Sequence, residues 1–185
     1  GMVRAAYSSG RPAFGVGAGN ANIVIDSTAN LAEAAAKIKN SKTFDLAAGC
    51  SCDNAVIILE DVYEKMLEEF AKVGAHMVNA EDKEKLKHTI WPAWPDNHAI
   101  NRDVVAKPAR YIAELAEIQV PEDTCILLAE ESGSGEAYPF SGEKMCVTIA
   151  VYKAQDIDDA IRIVNANLAY SGAGHSCGIH SNTPE

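Results

Sequence analysis

Two cysteines, Cys50 and Cys52, stand two residues apart in SKTFDLAAGCSCDNAVIIL, between a segment of small residues and an apolar run. A cysteine does nucleophilic chemistry as its thiolate, which backbone N–H groups, a helix N-terminus or a nearby cation can stabilise. Little side-chain bulk precedes Cys50, so backbone amides there are free to approach a substrate oxygen, and an oxyanion site is sterically possible. The competing reading is that both cysteines are small hydrophobes that only pack, as most thiols of a reduced protein do. These residues alone leave both readings open. GVGAGN, residues 15–20, has alternate glycines at 15, 17 and 19. It lacks the G-x-G-x-x-G spacing of a dinucleotide loop, and no Lys-Ser/Thr pair follows as in a P-loop. A tight turn where backbones pack closely is the simpler account of it. Taken singly, Glu143 in a loop and His175 in GHS are ordinary polar residues. The pair at 50 and 52 has no second CxxC or HxxxH partner, and no metal site is expected.

Composition bounds what such groups could act on. The chain has 185 residues, 48% of them hydrophobic, enough for one domain with a real core. A net charge of −10 argues against a nucleic-acid partner, which clustered Lys and Arg would have to hold. No run nears the roughly 20 apolar residues that span a bilayer, and the N-terminus lacks the order of a signal peptide. The expectation is a cytoplasmic protein with no membrane partner. Five cysteines without a framework spacing read as reduced thiols.

The elements that must position these residues alternate in type. AFGVGAGNANIVID reads as two short extended pieces around a glycine-rich turn. Asn30 and Glu33 form a capping box before a helix that sets Leu31, Ala34, Ala35 and Ile38 on one face. NAVIILE suits a strand buried on both faces, and DVYEKMLEEFAKVGAHM carries Val62, Met66, Phe70 and Val73 at helical spacing. Residues 79–120 are mostly polar and helical in tendency, broken by WPAWPDN, and read as an excursion from the sheet. TCILLAEE and MCVTIAVYK are two more strands. A helix follows, with Ile157, Ala160, Ile161, Val164 and Leu168 as its apolar stripe. GHSCGIHS is short enough for an edge strand. Together they predict an α/β fold, a mostly parallel sheet flanked by helices.

Four stretches in this order, AAYSSGRPAFGVGAGNANIVID, SKTFDLAAGC, GEKMCVTIAVYKAQDIDDAI and GHSCGIHS, resemble the aldehyde dehydrogenase superfamily, and most closely its CoA-acylating branch. The resemblance covers nearly the whole chain and is weakest over residues 79–108. It implies that residues 1–185 form a catalytic domain, with a cofactor-binding domain before it and a closing segment after it in full-length members. On that implication the chain alone should turn over poorly, and the full-length protein should be a homo-oligomer. It implies Cys50, at the end of the TFD…C segment, as the nucleophile that attacks an aldehyde. It also implies NAD or NADP as the hydride acceptor and coenzyme A as the acyl acceptor. The oxyanion would be held by the Cys50 N–H and by an asparagine N-terminal to this chain. Glu143 falls on the carboxylate that binds the nicotinamide ribose hydroxyls, although Lys144-Met145-Cys146 replaces the Phe-Gly-Pro run of hydrolytic relatives. Where those relatives carry a water-activating glutamate, this chain has Gly15 or Val16, and with no carboxylate there CoA is favoured over water. His175 matches the acylating branch and either sits near the CoA thiol or hydrogen-bonds a strand end. Cys52 is left to packing. A hydrolytic relative and a non-catalytic domain kept for oligomerisation are the alternatives.

Overall fold

The computed structural model describes residues 2–15 and 17–183, so Val16 lies outside the described residues. In chain order the elements are α1 (Met2–Tyr7), β1 (Ala21–Ile25), α2 (Leu31–Thr43), β2 (Asp53–Leu59), α3 (Tyr63–Lys72) and β3 (Ala75–Met77). They continue with α4 (Ala80–Ile90), α5 (Ala109–Leu115), β4 (Ile126–Glu130), β5 (Thr148–Ala154), α6 (Ile157–Tyr170) and β6 (Cys177–His180). Six strands form one sheet in the order β3-β4-β5-β2-β1-β6, with every neighbouring pair parallel. The parallel α/β expectation holds, and GHSCGIHS supplies the edge strand β6 beside β1.

Successive strand residues feed opposite cores, because side chains alternate across a pleated sheet. Val56, Ile58, Ile126, Leu128, Ile149 and Val151 pack with α2 and α3 on one face. Ile57, Leu127, Ala129, Ala150 and Tyr152 pack with α4, α5 and α6 on the other. Burial on both faces is why these strands read as unbroken apolar runs.

Five expectations need correction. Residues 79–120 are no excursion: Leu86, Ile90, Trp91, Val104, Ile112 and Ala113 belong to the second core, and α4 with α5 carries the chain from β3 to β4. Most of the polar residues that suggested an excursion form the solvent face, laced by pairs such as Lys85–Glu81 and Lys85–Asp82. Secondly, the helix expected to run through Met77 stops at Lys72. Gly74, at φ +83°, turns the chain into β3. Thirdly, the buried stripe of α6 is Ala160, Ile163, Val164 and Asn167, while Ile157 and Ile161 are exposed. The capping box of α2 is also only half formed, since the Asn30 side chain accepts from the Glu33 N–H but Glu33 pairs with Lys37. Of the two extended pieces expected around GVGAGN, only β1 forms. No helix among the described residues is long and apolar enough to cross a membrane.

A Cβ on Gly74 would lie 2.6 Å from the Asp123 carbonyl oxygen, in a left-handed backbone that penalises any side chain. Gly74→Ala is expected to cost about 2 kcal/mol, read as a lower urea midpoint with an unchanged m-value.

Candidate active site

Four loops converge where the chain enters β1, β2, β5 and β6, at the amino ends of parallel strands. They enclose a cavity of about 410 Å³ lined by Gly17, Ala18, Gly19, Cys50, Glu143, Ala173, Gly174 and His175. Cys50, Glu143 and His175, each named from the sequence, come from three different loops and share this one cavity. Open α/β sheets ordinarily bind ligands at the carboxyl ends of their strands, so the placement is the reverse of the common one.

Gly19 explains why the thiol and the carboxylate can meet. A Cβ there would sit 2.7 Å from the Cys50 carbonyl oxygen, 2.8 Å from the Cys50 Cβ and 3.0 Å from Glu143 Oε1. No side chain fits between the three, and the glycine-rich stretch is therefore a close backbone approach, as its spacing suggested. Cys50 is exposed in a tight turn closed by the Cys52 N–H donating to the Gly49 carbonyl at 3.3 Å. Among the described residues the Cys50 N–H donates to no other group, which leaves it free to meet an oxygen in the cavity. Cys52 is 3% exposed and lies in the core, in keeping with packing.

The turn is reached through strained backbone. Asp45, Leu46 and Ala47 all have positive φ, 47°, 51° and 61°, and none is a glycine or asparagine. Such conformations cost on the order of 1 kcal/mol each and persist only where the surroundings enforce them. Here α2 ends at Thr43, and the left-handed run folds the chain back so that β2 can begin at Asp53 beside β1.

Beside the turn lies a polar interior that the sequence did not announce. Lys42 and Lys144 are almost wholly buried. Lys42 Nζ donates to Asn54 Oδ1 at 3.2 Å, and Lys144 Nζ donates to the carbonyls of Phe140 and Gly142 at 2.6 and 2.8 Å. Burial pushes Lys42 down to about 8, opposed by the nearby Cys146, Cys52, Asp53 and Glu143. Burial, and then the like charge of Lys42, pushes Lys144 down to about 7. Asp53 is pushed up by burial, against a hydrogen bond from Ser41 and the charge of Lys42. A signal for Lys42 existed, since Ala35, Ile38 and Lys42 recur at the spacing of one helix face. Lys144 follows a loop residue and had no periodic pattern to expose it.

The loop that carries Glu143 is anchored from the far core. The rings of Trp91 and Phe140 meet edge to face, with centroids 5.1 Å apart. Asn20, next to Gly19 and fully buried, donates to the carbonyls of Ser141 at 2.9 Å and Ser171 at 3.0 Å. Asn167 donates to Asn22 Oδ1 and accepts from Ser134. The His175 N–H donates to the Gly172 carbonyl, and its Nδ1 lies 3.2 Å from Ser176 Oγ. Gly172, at φ +93°, presses on Asn20, where a Cβ would lie 2.6 Å from the Asn20 Cβ.

The fold is a parallel α/β domain whose cavity at the amino ends of the strands gathers Cys50, Glu143 and His175. No family model matches the chain. A sulfoacetaldehyde dehydrogenase (acylating) of Bilophila wadsworthia is 47% identical over 181 residues, 97% of this chain and 39% of that protein. The crystal structure of an acetylating aldehyde dehydrogenase from Geobacillus thermoglucosidasius superposes with a TM-score of 0.90 at 39% identity, over 98% of this chain and 39% of that one. A propionaldehyde dehydrogenase of Rhodopseudomonas palustris, solved with bound propionyl-CoA, reaches a TM-score of 0.82 at 25% identity, over 98% of this chain and 39% of that one. The chain belongs to the acylating aldehyde dehydrogenase family and spans about 39% of the length of these relatives.

Two predictions follow from the geometry. In Gly19→Ala the new methyl displaces the Cys50 turn, and alkylation of Cys50 by iodoacetamide should slow about tenfold or more in a chain that remains folded by circular dichroism. The second concerns pH. Folded Lys144 releases its proton near pH 7 and unfolded Lys144 near 10.5, so between these values the unfolded state holds more protons and stability rises with pH. The stability of wild type relative to Lys144→Met should therefore climb by about 1 kcal/mol per pH unit from pH 7.5 to 8.5, measured by urea unfolding of both proteins.

Proposed function

We propose that this domain carries the catalytic thiol of a CoA-acylating aldehyde dehydrogenase. One observation carries the reading: the exposed Cys50 and the Glu143 carboxylate face one cavity across a glycine that admits no side chain. Cys50 Sγ, as thiolate, attacks the aldehyde carbon. The carbonyl electron pair moves to oxygen, where the Cys50 N–H is free to donate. NAD(P)+, when bound, supplies the acceptor for the hydride that leaves the resulting thiohemiacetal carbon. The oxygen then re-forms its carbonyl, and the acyl group remains on Cys50 as a thioester.

Glu143 fits the cofactor chemically. Its carboxylate would accept hydrogen bonds from two adjacent ribose hydroxyls, and the two loops that hold its backbone would fix where that ribose stands. The acyl group leaves when the thiolate of coenzyme A attacks the thioester carbon and the Cys50 thiolate is expelled. Among the described residues lining the cavity Glu143 is the sole carboxylate, and the stretch from Ala13 to Asn20 contains none. With Glu143 assigned to the ribose, no side-chain carboxylate is left to activate water. His175 lines the same cavity and is read as the imidazole beside the incoming CoA thiol. The bound propionyl-CoA of the R. palustris relative supports CoA as the acceptor.

The test is the acceptor, assayed in a polypeptide of the relatives' full length that carries this sequence. Without CoA, aldehyde and NAD+ should yield at most about one equivalent of NADH per active site, and CoA should restore continuous turnover. Cys50→Ala should lower kcat by about a thousandfold or more, and Cys52→Ala should leave it nearly unchanged. Steady NADH formation without CoA would mean that water is the acceptor.

A further inference from the structure

Asn54, the second residue of β2, is 2% exposed and uses both ends of its carboxamide. Its Oδ1 accepts from Lys42 Nζ at 3.2 Å and from the Lys144 backbone N–H at 3.1 Å. Its Nδ2 donates to the Cys52 carbonyl at 3.2 Å. One side chain thus ties together the last turn of α2, the turn that presents Cys50 and the loop that presents Glu143. Lys144 extends the tie by donating to Phe140 and Gly142, so that Glu143 is gripped on both sides.

Stability alone does not account for this cluster. Burying two lysines and a carboxamide is costly, and apolar side chains of the same volume would often fold as well or better. Neither lysine has a carboxylate within ion-pairing distance among the described residues, so no direct charge pairing offsets that cost. What the cluster provides is geometry. Each of its hydrogen bonds ends on an element next to the thiol or the carboxylate of the cavity.

We propose that Asn54 is a positioning residue that sets the distance and orientation between Cys50 and Glu143, with Lys42 and Lys144 as its partners. The proposal rests on the reading of Cys50 as nucleophile and Glu143 as ribose ligand. Neither Asn54 nor the lysines line the cavity, so they act through the two residues that do.

The test uses Asn54→Ala and Asn54→Asp in a polypeptide of the relatives' full length. Asn54→Ala frees all three elements. It should slow iodoacetamide alkylation of Cys50 about fivefold or more, raise the KM for NAD+ by a similar factor and lower kcat about 10- to 100-fold. Asn54→Asp keeps both accepting contacts but loses the donation to the Cys52 carbonyl, so it should bring the KM for NAD+ back to within about threefold of wild type while alkylation of Cys50 stays slow. A folded Asn54→Ala protein with a lower Tm but with alkylation and kcat/KM within about twofold of wild type would reduce Asn54 to a structural role and overturn the proposal. If Asn54→Ala does not fold, Lys42→Met, which removes one arm only, decides by the same readouts, with an expected loss in kcat of about three- to tenfold. Failure of the underlying reading looks different: wild-type Cys50 would then alkylate no faster than the exposed Cys177.

Discussion

The fully buried carboxamide of Asn20 joins the loops that enter β1, β5 and β6, by donating to the carbonyls of Ser141 and Ser171. These loops have little regular structure, and loops without such ties are the mobile parts of a fold. Asn20 therefore matters out of proportion to two hydrogen bonds. Its neighbour Gly19 is the backbone against which Cys50 and Glu143 are both measured, and its Cβ is the surface on which Gly172 rests. The hydroxyl of Tyr152 and the carboxamides of Asn22 and Asn167 continue the network into the second core, and among the described residues Asn20 Oδ1 is the one buried polar side-chain atom left without a partner. Buried hydrogen bonds of this kind specify one arrangement more sharply than apolar packing does.

The fold was legible in the sequence because parallel strands buried on both faces leave a signal that needs no tertiary knowledge. NAVIILE and CVTIAVYK each carry that apolar run, and the turn residues between elements punctuate it. What was misread followed from competing local signals. The run from Asp61 to Met77 keeps its helical spacing almost to the end, and only Gly74, pressed against the Asp123 carbonyl, stops it. The polarity of residues 79–120 was read as distance from the sheet, yet charged side chains cover just the outer faces of α4 and α5. Ile157 and Ile161 show the same lesson from the other side. The stripe of α6 is rotated toward Asn167, because the core needs that carboxamide more than it needs two isoleucines.

The cavity was legible in a different way. Periodicity says nothing about Glu143 or His175. It was the order of four short motifs that singled them out, and the topology then brought them together with Cys50. Asn54, Asn20 and the two lysines escaped both kinds of reading. A buried polar side chain looks like a surface one until its partners are known, and those of Asn54 and Asn20 lie up to 90 and 151 residues away in the chain. Only Lys42, lying on the apolar face of α2, broke a pattern that the sequence displays.

The site's location at the amino ends of the strands has an electrostatic consequence. Helices of a parallel α/β sheet run opposite to the strands, so α2 and α6 point their C-termini toward the cavity, each bearing about half a negative charge. That field disfavours an anion, whereas at the carboxyl ends of the strands helix N-termini would welcome one. An anion at this end of the sheet, such as the thiolate proposed for Cys50, requires positive charge from another source. Lys42, in the last turn of α2, is buried on this side of the sheet, where water screens its charge little, whereas Lys144, which releases its proton near pH 7, adds little charge above neutrality. Their lowered proton affinity is the cost of that burial, and it is smaller for Lys42, whose neighbours Cys146, Cys52, Asp53 and Glu143 all favour the ammonium form. Of the two buried lysines Lys42, which keeps its proton up to about pH 8, is thus the one that offsets the helix dipoles at this end of the sheet.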